Sequence, residues 1–452
     1  YTQDSNYEIG PGKDYTVISR YDFSTHYLSI IAYYTNATIP LTEPTSWNAD
    51  LDLGAGYIST IGRIAVTFGG WTVTYDIGDV YADEVRMART WKELLGVIEP
   101  TWDGQGANGN WDSITNWVGD YLPINGTNVT FYDSIFSGTN ISLNGARTVL
   151  GVRFNDNADT ALNITNNTLT INGGGIAVAA GAAGAHVIAS AISLGANQSW
   201  TNEAGAASPI KLSGVVSGAG NVTKMGNADG QFILAGNNTF SGTLTINQGR
   251  LLITHTNGLG SISGVTTVNS GPSLQIQGGI ITAPEPLNLS GDGYWGGGAL
   301  DSISGDNTFA GGITLGANAR VRAQANILTL SGNITNSTYN FEASGGGSIY
   351  ALGVIGNGAG GVRKIDNGEL RLVNTNNTYG GSTTVSGGVL RIRFDGSLGA
   401  TNLAATPDQL RLDNGTLTTT NTTAWTRNST RGIGLGNLGG PLTNGGGGPS
   451  TY

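Results

Sequence analysis

Three pairs of acidic residues each share a predicted turn, and paired carboxylates could act as general acid and base in the cleavage of a polysaccharide. The pairs are Asp156 with Asp159, Asp301 with Asp306, and Asp366 with Glu369. A cleaving site requires three or more charged side chains that converge in one groove, whereas these pairs are scattered along the chain. Each pair falls in a predicted turn, where an aspartate usually bonds to nearby backbone. We therefore favour a structural role for all three pairs.

Three tryptophans, Trp102, Trp111 and Trp117, fall within sixteen residues. Aromatic faces stack on sugar rings, so this cluster could bind a glycan. The alternative is that the rings cover the first coil of a stacked β-structure, whose core would otherwise meet water. We favour the cover. Glycan binding stays as the alternative, and it requires the three rings to share one exposed face.

The sequence offers no pattern typical of a metal site or an activated nucleophile. The segment from Asp103 to Asp112 is rich in oxygen-bearing side chains, but it lacks the Asp-x-Asp-x-Asp-Gly pattern and the terminal Glu of a calcium loop. His26, His186 and His255 lie far apart and show no metal spacing, so each is predicted to be a solitary surface or turn residue. The chain has no cysteine and no Gly-x-Ser-x-Gly turn after a buried strand. We expect no metal, no cofactor and no enzymatic activity.

A phrase of the form Asn-Thr-aromatic-x-Gly returns three times, at steps of 69 and 70 residues. Its main residues are Asn238, Phe240 and Gly242, then Asn307, Phe309 and Gly311, and finally Asn377, Tyr379 and Gly381. A solenoid must place the same corner in register coil after coil, whereas a compact enzyme has no such need. We predict that the asparagines hold the turn backbone and that the aromatic rings pack below them. Replacing Asn377 by Ala is then expected to cost about 1 kcal/mol of stability.

Short runs of alternating apolar and polar residues, separated by Gly and Asn turns, fill residues 132–435 and predict the strands of an all-β protein. This strand spacing alone also fits a sandwich or a barrel, but the repeated phrase favours a β-solenoid. The 73 glycines and the 12% of charged residues indicate frequent turns, while the 38% of hydrophobic residues suffices for a continuous core. If a coil takes about 23 residues, the 70-residue step equals three coils. The solenoid then has about 13 coils and a length on the order of 60 Å.

Composition divides the chain into four parts. We predict an aromatic-rich β module at residues 1–99, a Trp-rich cap segment at residues 100–131, the β-helix at residues 132–435 and a Gly-rich tail at residues 436–452. Within the first part, apolar residues at helical spacing predict one helix near residues 83–95. The sequence starts at a tyrosine without a charged and then apolar leader, which favours a processed mature form or a trimmed chain.

The charge balance argues against two classes of partner. The net charge is −10 and no basic run occurs, so nucleic acids and anionic membrane surfaces are poor partners. The longest largely apolar stretch, Tyr27 to Tyr34, is far too short to span a bilayer. We expect no nucleic-acid partner and no membrane insertion by this chain.

The residues around the repeated phrase resemble a known family. Gly218-Ala219-Gly220-Asn221-Val222-Thr223-Lys224 precedes the first copy and Gly249-Arg250-Leu251 follows it, while Gly358-Ala359-Gly360-Gly361-Val362-Arg363-Lys364 precedes the third copy and Gly388-Val389-Leu390 follows that one. This pattern resembles the autotransporter-associated β-strand repeat, also called the passenger-associated transport repeat. The segment from Trp102 to Phe131 looks like the opening that often precedes such repeats in large secreted bacterial proteins. The copy at Asn307 departs from the pattern, because it lacks the Gly-x-Gly-x-x-x-Lys lead.

The resemblance covers about residues 101–395 and implies a right-handed parallel β-helix, secreted or displayed on the surface of a Gram-negative or related bacterium. It implies no enzyme activity. The end of a solenoid exposes unpaired strand edges, and no aromatic-rich segment follows residue 435 to cover them. We therefore rank three functions: first a non-enzymatic fibre subunit or stalk that assembles head to tail with copies of itself, second an adhesin that binds surface glycans, and third a polysaccharide-cleaving enzyme.

Overall fold

The computed structural model describes three strands near the N-terminus and most of the chain after residue 98. The described residues are 15–22, 27–34, 49–52 and 99–444, apart from 107, 121, 133–139, 156–160, 402–405 and 421–425. The chain divides into two compact units, residues 1–98 and 99–452. The helix predicted near residues 83–95, most of the predicted aromatic module and residues 445–452 lie outside the described residues. In the described part, no helix is both long and apolar enough to cross a membrane.

The first unit contains an antiparallel sheet of three strands in sequential order, Tyr15–Asp22, Tyr27–Tyr34 and Ala49–Asp52. Tyr15 pairs with Tyr34, and Tyr27 pairs with both Asp22 and Asp52. The apolar stretch that is too short to span a bilayer is therefore the central strand of this sheet.

The second unit is a parallel β-helix of about 12 coils, which confirms the predicted fold. Each regular coil contributes one strand to each of three faces, here called faces A, B and C, and each strand pairs with the strands one coil before and after it. Face A consists of Thr101–Trp102, Asn128–Phe131, Gln198–Asn202, Val222–Gly226, Leu244–Ile246, Thr266–Val268, Leu287–Gly291, Ile334–Thr335 and Ile355–Gly356. Face B consists of Asn140–Ser142, Asn163–Thr165, His186–Ile188, Ile210–Leu212, Gln231–Leu234, Arg250–Ile253, Ser273–Gln277, Leu300–Ser304, Phe341–Ser344, Val362–Lys364, Thr383–Val385, Thr406–Leu412 and Arg431–Leu435.

Face C consists of Ala191–Leu194, Val216–Gly218, Asn307–Phe309, Ile327–Leu330, Ser348–Ala351, Glu369–Leu372, Val389–Ile392, Thr416–Thr419 and Leu442–Asn444. Three longer strands bend from one face to the next: Arg147–Phe154, Thr168–Val178 and Ile313–Ala323. Four 3-10 turns are described, at Ile114–Asn116, Gly205–Ala207, Tyr294–Gly296 and Asp395–Leu398.

The core of the β-helix is a set of stacked apolar rows that run along its axis. On face A, one row runs through Val222, Leu244, Thr266, Leu287, Ile313, Ile334 and Ile355, and every member of it is buried. Side chains alternate between inside and outside along each strand, so inward aliphatic residues stack on one another while outward Thr and Asn face solvent. Thr266 is the single polar member of this row.

Coil length varies along the solenoid. Val222 pairs with Leu244, and Leu244 with Thr266, each step being 22 residues. The step from Leu287 to Ile313 is 26 residues, because an insertion leaves face A after Leu289. The insertion contains the 3-10 turn Tyr294–Gly296.

This variation makes the predicted period of three coils wrong for the last copy of the repeat. Asn238 bonds to Val216 and Asn307 bonds to Ile280, and both asparagines lie in the series of corners that forms face C. Asn377 instead bonds to Ile355 of face A. The third copy is therefore displaced from the second by three coils and one further strand.

Candidate functional site

The predicted tryptophan cluster is buried at the first coil. Trp102, Trp111 and Trp117 are at most 2% exposed. The Trp102 and Trp117 rings meet edge to face with centroids 5.1 Å apart, and Trp111 and Trp117 do so at 4.8 Å. Trp117 Nε1 donates to the Trp111 carbonyl over 2.8 Å. No ring presents a free face, so these three residues do not form the exposed aromatic face that glycan binding requires. The rings pack against one another at the first coil, and the cover over the solenoid core stays a prediction.

The side chain of Asn116 organises the loop between these tryptophans. Asn116 is fully buried, its Oδ1 accepts from Gly106 N, and its Nδ2 donates to the carbonyls of Asn108 and Asn110, each over 2.8 Å. Asp112 turns away from the loop to accept from Asn144. In the described part of the chain, no three His, Cys, Asp or Glu side chains are grouped closely enough to hold a metal ion.

The repeated asparagines connect successive coils. Asn238 Oδ1 accepts from Val216 N of the preceding coil over 2.9 Å, and its Nδ2 donates to Gly258 O of the following coil over 2.8 Å. Asn377 forms the same two contacts, with Ile355 N and Ser397 O, each over 2.8 Å.

Asn307, the centre of the divergent copy, keeps only one of the two connections. Its Oδ1 accepts from Ile280 N over 2.9 Å, but its Nδ2 donates to Ser302 Oγ, Ser304 O and Gly305 O within its own coil. The copy that lacks the family lead in sequence therefore also lacks the bond to the following coil.

The other residues of the repeated phrase serve close packing. Phe240, Phe309 and Tyr379 are buried inside the corner, and the Tyr379 hydroxyl lies 2.7 Å from Thr383 Oγ1. Burial raises the pKa of Tyr379 far above its usual value. The glycines of the phrase allow the preceding coil to approach closely. A Cβ atom on Gly242, Gly311 or Gly381 would lie 2.2, 1.8 or 2.6 Å from a backbone atom of that coil. A larger side chain at these positions would push two coils apart.

Two buried lysines accompany the complete copies of the repeat. Lys224 Nζ donates to Met225 O over 2.8 Å and to Gln248 O over 3.0 Å, and Lys364 Nζ donates to the carbonyls of Ile365 and Asp366. Burial lowers the pKa of Lys224 to about 7 and that of Lys364 to about 8. Each ammonium thus holds turn carbonyls. In the sequence these lysines are only the last residue of the Gly-x-Gly-x-x-x-Lys lead of the family pattern. Both lysines lie 13 or 14 residues before the repeat asparagine, and this shared spacing could have predicted their common structural role.

A buried carboxyl group interrupts the apolar core beside Thr266. Glu285 lies between Pro284 and Pro286, and Thr266 Oγ1 donates to its Oε1 over 2.7 Å. Its Oε2 forms no hydrogen bond within the described residues. Burial raises the pKa of Glu285 to about 7. No periodic signal in the sequence pointed to this residue.

The paired acids serve as cross-coil links where they are described. Asp306 Oδ1 accepts from Ile327 N and Asp366 Oδ2 from Gly345 N, each over 3.0 Å and each to a neighbouring coil. Glu369 pairs with Arg371 and with Arg391 of the next coil. Asp301 lies on a strand and not in the turn that was predicted for it, and Asp156 and Asp159 fall outside the described residues. The expected bonds to local turn backbone are thus replaced by bonds to the adjacent coil.

The histidines are also separate, but one was placed wrongly. His186 is fully buried, and its ring stacks on Phe154 with centroids 4.1 Å apart, so the prediction of a surface or turn position fails for it. His255 lies in a turn, where its Nδ1 accepts from Asn257 N. His26 is outside the described residues.

Comparison with known proteins agrees with the family pattern. Two stretches, residues 223–253 and 362–392, match the family model described as the passenger-associated-transport-repeat. These stretches contain the two complete corners with their buried lysines. The chain therefore carries this repeat, and it does so in the first and third of the three copies.

A relative supports the same relationship along most of the chain. The chain is 28% identical over 416 residues to "Adhesin BmaC autotransporter" of Brucella suis biovar 1 (strain 1330), an alignment that covers 86% of this chain and 10% of the relative. The chain thus spans about a tenth of that protein. No solved structure matches the chain.

Proposed function

We propose that this chain is a non-enzymatic part of an extracellular passenger, in which the β-helix forms a stem on the surface of a Gram-negative bacterium. The observation that carries the proposal is the unbroken stack of coils held by the two complete repeat corners. About 12 coils at about 4.8 Å each give a stem of about 58 Å. Such a stack provides length and stiffness at low charge density, as a spacer requires.

The use made of the polar side chains supports a mechanical role. The acids and amides described above bond to neighbouring coils, so they are committed to holding the solenoid together. The relative is named an adhesin autotransporter, which supports a passenger whose work is attachment. We therefore propose that this stem belongs to an adhesive surface protein.

A second candidate is head-to-tail assembly, in which the chain is a fibre subunit that binds copies of itself. Leu435 and Leu438, in the last described coils, are 67% and 74% exposed. The adjoining strands, Arg431–Leu435 and Leu442–Asn444, each pair with only one described strand. The two exposed leucines favour a further β-coil as neighbour, from the same chain or from a second copy.

The stem is tested on bacteria that produce the parent protein. Antibodies raised against residues 99–444 are expected to label intact cells, and brief protease treatment of intact cells is expected to remove the signal. A cytoplasmic protein serves as the control for cell integrity. Labelling that requires permeabilised cells would overturn the extracellular placement.

Assembly is tested separately by light scattering and negative-stain microscopy of the purified full chain. We expect filaments whose formation rises with concentration and is reduced by Leu438→Asp, while Val118→Asp, at an exposed residue near the cap, leaves it unchanged. Monodisperse particles at high concentration would refute the head-to-tail contact and leave the stem proposal intact.

A further inference from the structure

The insertion in the 26-residue coil presents one tryptophan to solvent. The insertion, residues 290–298, contains the 3-10 turn Tyr294–Gly296. Trp295 is 86% exposed, the highest value for a large apolar side chain among the described residues. Its φ and ψ are 49° and 30°, a left-handed conformation that a bulky residue adopts only at a cost. An exposed indole on strained backbone is not explained by packing of the core.

The loop is fixed to the solenoid at its base. Ser273 Oγ accepts from Tyr294 N over 2.9 Å and donates to Gly298 O over 2.6 Å. Arg250 lies over the Tyr294 ring with its Cζ 5.1 Å from the centroid. Gly298 N donates to Asp292 O over 2.8 Å, which closes the loop on itself. These bonds hold the loop in one shape, so the indole is presented and does not fold back onto the solenoid.

Hydrogen-bonding side chains of face B lie at the foot of the loop. Arg320 Nη1 donates to Gly296 O over 2.6 Å, next to Trp295 in the chain, while its Nε pairs with Glu342. Glu342 also accepts from Arg363 over 2.9 Å. Asp292 is exposed at the start of the loop. The surface therefore offers donors and acceptors that can bond to hydroxyl groups.

Cations and acids are nearly equal in number around the loop. Asp301 is buried and accepts from Gln275 and Gln324 over 3.3 and 2.8 Å, and its backbone lies in register with that of Arg322 on the adjacent strand. The charged residues near the loop are Arg250, Arg320, Arg322 and Arg363 against Asp292, Asp301 and Glu342, a difference of one. Such a surface gives little general attraction to an acidic ligand.

We propose that this loop, with Trp295, Arg320, Glu342 and Asp292, binds an uncharged sugar residue of a glycan. The apolar face of the sugar ring stacks on the indole, and its hydroxyl groups bond to the charged side chains. A protein hot spot would place the tryptophan within a continuous apolar patch that excludes water. The Trp295 ring instead meets one aromatic ring, that of Tyr294, edge to face with centroids 6.1 Å apart, and the residues that follow it in the loop are glycines. This assignment rests on the proposed extracellular function, which would bring the site into contact with glycans.

The test uses the purified full chain on an array of uncharged and sialylated oligosaccharides, followed by titration of the best probe. We expect uncharged probes to bind, and Trp295→Ala to weaken binding at least tenfold. Phe394→Ala is the matched control, because Phe394 is an exposed ring beside an arginine elsewhere on the solenoid, and it should leave binding unchanged. Arg320→Gln should weaken binding to a smaller extent.

Trp295→Asn separates binding from folding. Asparagine tolerates the left-handed backbone better than tryptophan, so this variant should be at least as stable as the wild type while binding is lost. The proposal is overturned if no probe binds, if only sialylated probes bind, or if Trp295→Ala and Trp295→Asn bind as the wild type does. Any of these results, obtained for a protein that antibodies detect on intact cells, would refute the glycan site alone.

Discussion

The variant Asn377→Ala tests the cross-coil role of the repeat asparagine. The substitution removes three hydrogen bonds: one from Ile355 N, one to Ser397 O and one to Asn374 O over 3.2 Å. It leaves two buried groups, the Ile355 amide and the Ser397 carbonyl, without these partners. Each buried unpaired group costs about 1–3 kcal/mol. We expect a loss of about 2–6 kcal/mol, which exceeds the loss of about 1 kcal/mol expected from sequence because the side chain bonds in both directions.

The loss should be local, because each coil of a solenoid contacts only its neighbours. Hydrogen exchange measured by mass spectrometry is the suitable assay, since it reports opening free energies along the chain. Amides near Ile355 and in the turn around Ser397 should exchange faster in Asn377→Ala. In Asn307→Ala, faster exchange is expected on the side of Ile280 alone, because the side-chain amide of Asn307 has no hydrogen bond to the following coil.

The control for this experiment is Asn376→Ala, the exposed neighbour of the same residue type. It should change stability by no more than about 0.5 kcal/mol. Equal effects of Asn376→Ala and Asn377→Ala would refute the reasoning. Faster exchange throughout the solenoid in Asn377→Ala would also contradict it, since the substitution would then act on global stability.

Two further predictions concern the buried ionisable groups, whose effects on stability have opposite dependence on pH. Because the pKa of Glu285 rises from 4.5 to about 7 on folding, the folded state holds a proton that the unfolded state has lost, so stability should fall as pH rises from about 4.5 to 7. Urea unfolding of Glu285→Gln should lack this decline, and an unchanged pH profile would contradict the assignment. The pKa of Lys224 falls from 10.5 to about 7 on folding, so stability should rise as pH rises from about 7 to 10.5. Lys224→Met should reduce that slope by up to about 1.4 kcal/mol per pH unit, whereas exposed Lys211→Met should leave it unchanged.

The regular parts of the fold could be predicted from sequence because they follow from periodicity. Alternation of apolar and polar residues identified the strands, and the repeated phrase identified corners such as Asn238. The face of the solenoid on which each copy of the phrase lies could not be predicted, since it depends on the summed lengths of the individual coils. The four residues added between Leu287 and Ile313 are enough to disturb a count based on one average coil.

In the candidate sites, too, some features could be predicted from sequence and others could not. The burial of Trp102 and its neighbours agrees with the predicted cover, which was inferred because the end of a solenoid needs one. The burial of His186 and Glu285 could not be predicted, because a single polar residue inside an apolar row does not change the hydrophobic periodicity. Trp295 is an insertion residue, and an insertion is by definition what a repeat pattern does not describe.

The displacement of the third copy defines what the repeat does physically. Both matched stretches place a buried lysine on turn carbonyls and an asparagine between two coils, although one copy lies on face C and the other on face A. The functional unit is therefore the local link between neighbouring coils and not the 70-residue interval. Because stability in a solenoid is approximately a sum of such local terms, coils between the links can accept insertions. The loop that carries Trp295 lies in such a stretch, between residues 253 and 362.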